Sequence, residues 1–199
     1  ADEHALRELR REAEALERLA HTVIVRGFDA VLDGPHPHML IEHLEGPTLR
    51  RVIKKGGPLP LQQVLPLALH VAAALHYMAR EGMVHLDVKP DNIVMGVPPR
   101  LIDLSIAGDL QRVARLRGPI GTDSYMAPEQ CAAGGRMGTA CDVFGLGATL
   151  IHALTGRKPF PREPHARDSD DPAVRFPQLT EEPLPLPDRL PAPLTRLVE

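Results

Sequence analysis

Residues 85–92 bring together side chains that could take part in phosphoryl transfer. Asp87 supplies a carboxylate, Lys89 an ammonium and Asn92 an amide, and a second carboxylate, Asp103, follows a short apolar stretch. Phosphoryl transfer needs mainly positioning and neutralisation of charge, with a carboxylate to accept a hydrogen bond from the attacking hydroxyl. Carboxylate and amide oxygens are also ligands that Mg²⁺ prefers. The spacing therefore predicts a loop that faces a phosphorylated nucleotide and its metal ions.

Helical periodicity predicts most of the elements that position this loop. Apolar residues recur at steps of three and four over residues 2–20 and 60–80, and residues 142–154 form a third, strongly apolar pattern. Thr48 can cap a shorter helix that runs to about Lys55. The chain is thus predicted to be mainly α-helical around the loop.

Prolines modify this helical pattern. Pro66 lies inside the pattern of residues 60–80 and should kink that helix or shift its start. From Pro159 onward the chain is rich in proline and is predicted to be largely irregular, with a last helix starting near Ala192. Residues 104–128 carry no sustained period.

The period changes to that of β-strands between residues 21 and 33. Residues 23–25 and 28–32 are rich in β-prone side chains, residues 33–35 read Asp-Gly-Pro, and residues 39–41 begin a second apolar run. Two such runs around a turn signal predict an antiparallel hairpin.

Composition narrows the possible functions. Apolar residues make up 43% of the 199 residues and aromatic residues only 3%, which predicts an aliphatic core. The net charge is −3 without a clustered basic surface, which argues against nucleic-acid binding. No stretch approaches the roughly 20 apolar residues of a membrane span. Cys131 and Cys141 give no disulfide framework, so we expect reduced thiols and a cytoplasmic location.

Three motifs in the same order resemble the eukaryotic-type (Hanks-type) Ser/Thr protein kinases, and the chain looks more like the bacterial members. Residues 85–92 resemble the catalytic loop H-x-D-x-K-P-x-N, residues 121–129 match G-T-x-x-Y-x-A-P-E, and residues 142–147 resemble the helix start D-V-W-S-L-G. The resemblance extends over almost the whole chain. It implies an α+β, protein-kinase-like fold.

The resemblance also implies a division of the chain. Residues 1–44 would be part of a small lobe, with helix C, a remnant β-hairpin and the start of the hinge. Residues 45–199 would be a mainly α-helical large lobe that stops before the last helices of the family domain. The family's glycine-rich loop and the lysine of its third strand have no counterpart in the sequence. We therefore expect this chain alone to be inactive.

Five residues take catalytic or metal-binding roles by this resemblance. Asp87 would be the catalytic base, Lys89 would contact the transferring phosphoryl oxygens, and Thr122 would hydrogen-bond near both. Asn92 and Asp103 would bind Mg²⁺. The implied substrates are ATP and a protein with a Ser or Thr acceptor.

Four further residues would contact the nucleotide or support it. Glu12 lies along the apolar stripe of residues 2–20, where it either points inward to a cationic partner or reaches water from the edge of the stripe. By the resemblance it corresponds to the helix C glutamate, which pairs with a lysine on the third strand in this family. The backbone of Glu42 and Leu44 would bond the adenine edge, and Val94 would lie under the adenine ring.

Two departures from the family pattern affect the activation segment, the stretch that follows Asp103. Leu86 stands where most members have an arginine that meets a phosphate, and Ser105 is the only hydroxyl residue between Leu104 and Thr122. We expect activation without phosphorylation of this segment. Ser105 also replaces a glycine, which should restrict the backbone at that position.

A second function remains open from the sequence. A kinase-like scaffold without its nucleotide clamp could be a pseudokinase-like binding module. In either case an incomplete small lobe would leave the inner face of the helix over residues 2–20 exposed, which predicts possible self-association.

Overall fold

The predicted helices form close to their expected bounds. The computed structural model describes residues 3–187 and 190–191, so the helix expected near Ala192 lies outside the described residues. In chain order the helices are α1 (Glu3–Arg18), α2 (Leu49–Gly56), α3 (Leu61–Arg80), α4 (Leu110–Val113), α5 (Pro128–Cys131), α6 (Thr139–Thr155) and α7 (Pro172–Arg175). Short 3₁₀ helices cover Pro90–Asn92, Pro164–Asp168 and Pro177–Leu179.

Two helix predictions need correction. Helix α1 ends at Arg18 instead of residue 20, and the N–H of Ala20 donates a 3.0 Å hydrogen bond to Tyr77 Oη on α3. Helix α3 continues through Pro66 without restarting. Pro66 lies near the amino-terminal end and is exposed, so its missing N–H removes one backbone bond on the solvent side.

Three two-stranded sheets complete the fold. The strands are β1 (Gly27–Val31), β2 (His38–Ile41), β3 (Met83–Val84), β4 (Ile93–Val94), β5 (Arg100–Leu101) and β6 (Gly108–Asp109). β1 pairs with β2, β3 with β6 and β4 with β5, all antiparallel. The first pair is the predicted hairpin. The other two flank residues 85–92 and fix both ends of that loop.

The strand expected to include residues 23–25 begins only at Gly27. The N–H of Val25 donates to Leu101 O at 2.9 Å, and the N–H of Leu101 donates to Val23 O at 2.6 Å. Residues 23–25 are all buried instead of alternating between core and solvent. They tie the hairpin to β5 and do not extend the hairpin itself.

The main core is aliphatic, as composition predicts. Helices α3 and α6 pack against each other, and their buried faces include Val71, Met78, Ile151 and Leu154. No described helix has the length and apolar character needed to span a membrane.

The amino-terminal part exposes apolar side chains on the hairpin. Phe28, Leu40 and Ile41 are 60%, 53% and 48% exposed, whereas no large apolar side chain of α1 is as exposed. Self-association through the face of residues 2–20 stays a prediction. The hairpin exposes large apolar side chains to a greater fraction than α1 does.

Helix α6 carries a buried histidine that contacts the residues 121–129. His152 Nδ1 lies 2.6 Å from Tyr125 Oη, and burial raises the pKa of Tyr125, so the hydroxyl donates. Burial lowers the pKa of His152 to about 4, and the cations Arg50 and Lys158 act in the same direction against the opposing carboxylate of Asp91. The imidazole is therefore neutral at pH 7.

We predict that His152 makes stability depend on pH between about 6.5 and 4. In this pH range His152 binds a proton in the unfolded protein but stays neutral in the folded protein. The free energy of unfolding should therefore fall by up to about 3 kcal/mol as pH drops through the range. Denaturant unfolding at several pH values measures this. His152→Asn should flatten the profile, while His76→Asn on the exposed face of α3 should not. Parallel profiles for both variants would contradict the prediction.

Candidate active site

Lys89 links the two segments that the sequence singles out. Its Nζ donates hydrogen bonds of 2.6 Å to Asp87 Oδ2 and 2.7 Å to Thr122 Oγ1. Lys89 and Thr122 lie 33 residues apart in sequence. One ammonium therefore joins the predicted base to the start of the 122–126 segment.

The two oxygens of Asp87 differ in their surroundings. Oδ2 accepts hydrogen bonds from Lys89 Nζ at 2.6 Å and from Asn92 Nδ2 at 3.2 Å, and the same amide donates to Asp87 O at 3.0 Å. Oδ1 is buried and has no hydrogen-bond partner within the described part of the chain. A buried acceptor without a partner is costly. Oδ1 is thus fixed in orientation and is the oxygen of Asp87 whose hydrogen-bonding capacity the described residues do not use.

Asp142 holds the backbone of the loop. Its Oδ2 accepts from the N–H of His85 at 2.8 Å and its Oδ1 from the N–H of Leu86 at 2.7 Å. Burial raises the pKa of Asp142, while His85 and the two N–H donors oppose that rise. Leu86 has a φ of 67°, a left-handed conformation that costs a non-glycine residue free energy. The Asp142 bonds keep that conformation in place.

Helix α6 approaches the loop closely at Gly145. A Cβ atom at this position would lie 3.1 Å from Val88 O and 3.2 Å from Val88 Cβ. The absence of a side chain therefore lets α6 pack directly against the residue between Asp87 and Lys89.

The side chain of Leu86 fills an apolar cluster. Leu86 is 3% exposed, in the position where the family resemblance leads one to expect an arginine. The cluster joins the loop to the activation segment and to α6. Its buried members are Val84, Leu86, Val113, Ala127, Met137 and Cys141, and Ile106, Leu116, Ile120 and Phe144 pack against them.

The second predicted carboxylate is held by its own neighbour. Ser105 Oγ donates to Asp103 Oδ1 at 2.6 Å, and Ser105 N donates to the same oxygen at 3.3 Å. Asp103 has a φ of 64°, and Ser105 is not among the described residues with positive φ. Ser105 therefore adopts a backbone conformation open to any residue, and the reduced conformational freedom of this loop stays a prediction. The Ser105 hydroxyl orients the carboxylate.

Asn92 and Asp103 have the donor chemistry that Mg²⁺ requires. Ile102 N donates to Asn92 O at 2.9 Å, which brings the residue before Asp103 against the loop. The Asn92 amide nitrogen is engaged by Asp87, so its oxygen is the group left for a metal. The described residues contain no group of three or more His, Cys, Asp or Glu that could hold a metal. Two hard oxygens fit Mg²⁺ that takes its other ligands from phosphate and water.

Glu12 contacts the same region from α1. Its Oε1 accepts a 3.1 Å hydrogen bond from Leu104 N. Burial raises the pKa of Glu12; the Leu104 N–H opposes this rise and the nearby Asp103 carboxylate adds to it. Its inward orientation agrees with the sequence pattern, and its partner here is the backbone after Asp103.

The predicted nucleotide contacts lie at the hairpin and at β4. Glu42 N donates to Arg26 O at 2.9 Å, which leaves the carbonyl of Glu42 for another partner, and the Glu42 side chain pairs with Arg100. Leu44 is half-buried against the core. Val94 is 8% exposed in β4.

Sequence reasoning missed two buried glutamines. Gln130 Nε2 donates to Leu86 O at 2.9 Å and to Ile120 O at 2.8 Å. Gln178 donates to the backbone of the 122–126 segment. Both lie in regions without sustained periodicity, where the sequence gives no signal that a polar side chain points inward.

The chain is similar in sequence to known proteins over most of its length. Residues 1–199 match the family described as "Protein kinase domain". Serine/threonine-protein kinase PknB of Mycobacterium leprae (strain TN) is 33% identical over 186 residues, which are 88% of this chain and 29% of that protein. PknB of Mycolicibacterium smegmatis is 32% identical over 197 residues, 94% of this chain and 30% of that protein.

A third relative is also similar to most of this chain. Probable serine/threonine-protein kinase PkwA of Thermomonospora curvata is 38% identical over 164 residues, which are 80% of this chain and 22% of that protein. The chain thus spans between 22% and 30% of the length of these three relatives.

We predict that Asp142→Ala destabilises the protein by about 2–5 kcal/mol, because it leaves two buried N–H groups without acceptors. The free energy of unfolding in denaturant measures the change. Asp33→Ala is the matched control, since the Asp33 side chain is 95% exposed in its ion pair with Arg10. Its effect should stay within about 0.5 kcal/mol. Equal effects of the two variants would contradict the role assigned to Asp142.

Proposed function

The chain belongs to the protein kinase family, and on that premise we propose that the protein carrying it transfers the γ-phosphoryl group of ATP to Ser or Thr hydroxyls of protein substrates. The observation that supports this best is the pair of unequal oxygens on Asp87. Oδ2 is fixed by Lys89 and Asn92, while the buried Oδ1 lacks a partner among the described residues. An acceptor hydroxyl is a donor of the right chemistry for Oδ1.

Asp87 acts as the base in this proposal. Its Oδ1 accepts the hydrogen bond of the substrate hydroxyl, aims the oxygen and receives the proton as the new P–O bond forms, while the bond from the γ-phosphorus to the β,γ-bridging oxygen breaks and ADP leaves with that oxygen. Because Oδ2 is held at 2.6 Å by an ammonium, the carboxylate has one preferred orientation. The rate enhancement comes mainly from the positioning of the reacting groups, which contributes much of the rate in reactions of this class.

Lys89 neutralises charge in the same step. Its Nζ bridges Asp87 and Thr122, so the ammonium is oriented before a substrate arrives. An oriented cation stabilises negative charge that develops on phosphoryl oxygens. The Thr122 hydroxyl accepts the second hydrogen bond of this ammonium and so ties the activation segment to Lys89.

Asn92 and Asp103 hold Mg²⁺ by their oxygens in this proposal. Bound ATP with Mg²⁺ supplies the phosphoryl group and the charge that polarises it. On the adenine side the backbone of Glu42 and Leu44 forms hydrogen bonds and Val94 contacts the ring. Residues 1–44 would then belong to the small lobe and residues 45–199 to the large lobe.

Activation without phosphorylation of the activation segment is part of the proposal. The Thr122 hydroxyl is engaged by Lys89, and Ser124 is 5% exposed, so a phosphate on either would displace existing contacts. Leu86 packs against Val113, Leu116 and Ile120 of the segment. Apolar packing supplies the order that a phosphate–arginine pair would otherwise supply.

We predict that Asp87→Asn in the protein carrying this chain lowers kcat by about 10²- to 10⁴-fold, because the base is lost, while ATP affinity stays within about twofold. Phosphate transfer to a Ser peptide and nucleotide binding are the two measurements. Asp170→Asn, an exposed carboxylate remote from Lys89 in sequence, is the control and should keep the activity. Nucleotide binding without transfer by the unsubstituted protein would favour the pseudokinase-like binding module instead.

We predict that Leu86→Arg destabilises the protein by about 2–5 kcal/mol, because it buries a cation in an apolar cluster. Leu69→Arg, at a site 71% exposed on α3, should be nearly neutral.

Phosphatase treatment should leave the activity of the unsubstituted protein unchanged. Loss of activity on treatment, restored by phosphate on Thr122 or Ser124, would contradict activation without phosphorylation.

A further inference from the structure

The segment of residues 122–126 is held at both ends. At its start, Thr122 Oγ1 accepts a 2.7 Å hydrogen bond from Lys89. Beyond Thr122, one side chain from the proline-rich region, Gln178, bonds two of the segment's backbone carbonyls. The first anchor belongs to the proposed catalytic residues, and the second belongs to a region that the proposed function does not use.

Gln178 is the centre of the second anchor. Its Nε2 donates to Asp123 O at 2.6 Å, to Met126 O at 3.1 Å and to Cys131 Sγ at 3.3 Å. The residue is 6% exposed, and its Oε1 has no hydrogen-bond partner among the described residues. The amide therefore acts here only as a donor. Its Nε2 bonds two carbonyls of residues 122–126 and the nearby sulfur of Cys131. The two hydrogen bonds from Gln178 Nε2 fix the positions of these two carbonyls, although the oxygen of the same amide stays unpaired.

Two arginines from the same region hold the Asp123 side chain. Arg162 Nη2 lies 2.9 Å from Asp123 Oδ2, and Arg175 Nη2 lies 3.8 Å from Asp123 Oδ1. Arg162 Nη1 also donates to Arg175 O at 2.8 Å, which joins the arginines to each other. The side chains of Arg162 and Asp123 are only 17% and 19% exposed, so this pair is less screened than a surface ion pair.

Backbone geometry couples the two anchors. Tyr125 N donates to Thr122 O at 2.8 Å, so residues 122–125 form a turn. Movement of the Asp123 carbonyl within this turn would move the Thr122 hydroxyl away from Lys89. The position of Lys89 in turn fixes Asp87 Oδ2.

We propose that Gln178 and Arg162 are positioning residues for protein substrate: they hold residues 122–126 so that Thr122 completes the Lys89–Asp87 arrangement at which the acceptor hydroxyl binds. The proposal rests on the proposed function for its catalytic part. The proline-rich region is then part of the substrate-binding machinery of this protein, in addition to covering the core.

Gln178→Met tests this with a side chain of similar length that has no N–H donor. Gln178→His retains an N–H donor and should rescue the effect in part. Gln63→Met, an exposed site on α3, controls for the substitution itself. Arg162→Met removes the ion pair of the same second anchor and serves if Gln178→Met does not fold. All variants are made in the protein that carries this chain.

Hydrogen exchange gives a readout that does not need activity. In Gln178→Met the amides of residues 122–127 should exchange faster, while those of α3 should keep their protection. Gln63→Met should change neither. Unchanged exchange in residues 122–127 for both Gln178→Met and Arg162→Met would overturn the proposal, whether or not the protein is a kinase.

Kinetics then separate positioning from a merely structural role. The kcat/KM for a Ser peptide should fall about five- to tenfold in Gln178→Met, the loss expected from one or two hydrogen bonds, while the KM for ATP stays within about twofold. Gln178→His should recover part of the loss. Unchanged peptide kinetics in both anchor variants, measured below their melting temperatures, would overturn the proposal. Absence of phosphate transfer by the unsubstituted protein would instead refute the proposed function. The hydrogen-exchange result would still test whether Gln178 and Arg162 hold residues 122–126.

Discussion

The buried carboxylate of Asp142 is the constraint on which the candidate site depends. It accepts the N–H groups of His85 and Leu86 at 2.8 and 2.7 Å. Those bonds keep Leu86 at a φ of 67°, a conformation that few side chains adopt without support. Because Asp87 follows Leu86 directly, its orientation depends on this backbone geometry. Asp142 lies on α6, which packs on α3, so the core of the fold sets the direction of the proposed base.

From that fixed loop, successive polar contacts extend outward. Asn92 and Lys89 hold one oxygen of Asp87, Lys89 holds Thr122, and Gln178 holds the carbonyls that follow Thr122. Each contact involves a group that is buried or half-buried, where hydrogen bonds are stronger and unpaired groups are costly. A change at any contact therefore affects its neighbours. Asp87 Oδ1 and Gln178 Oε1 are the exceptions, since both are buried and neither has a partner among the described residues.

Motif spacing predicted the residues that the structure brings together, and periodicity predicted the long helices. Lys89 and Thr122 meet as the resemblance implies, and Glu12 points inward as its place on the apolar stripe indicates. Periodicity gave the wrong result for residues 23–25, because full burial removes the alternation that marks a strand with one exposed face. Helix α3 runs through Pro66 as one helix, because a proline near a helix start removes little.

The missed contacts share a physical reason. Gln130 and Gln178 act through their side-chain amides on backbone carbonyls of segments distant in sequence, and such bonds require no residue type or spacing at the carbonyl end. No sequence pattern can therefore indicate them. The same reasoning explains Ser105, whose hydroxyl bonds Asp103 because the two are close neighbours in a tight loop. A residue that departs from a family motif can thus make a contact of its own at that position, as the burial of Leu86 in an apolar cluster also illustrates.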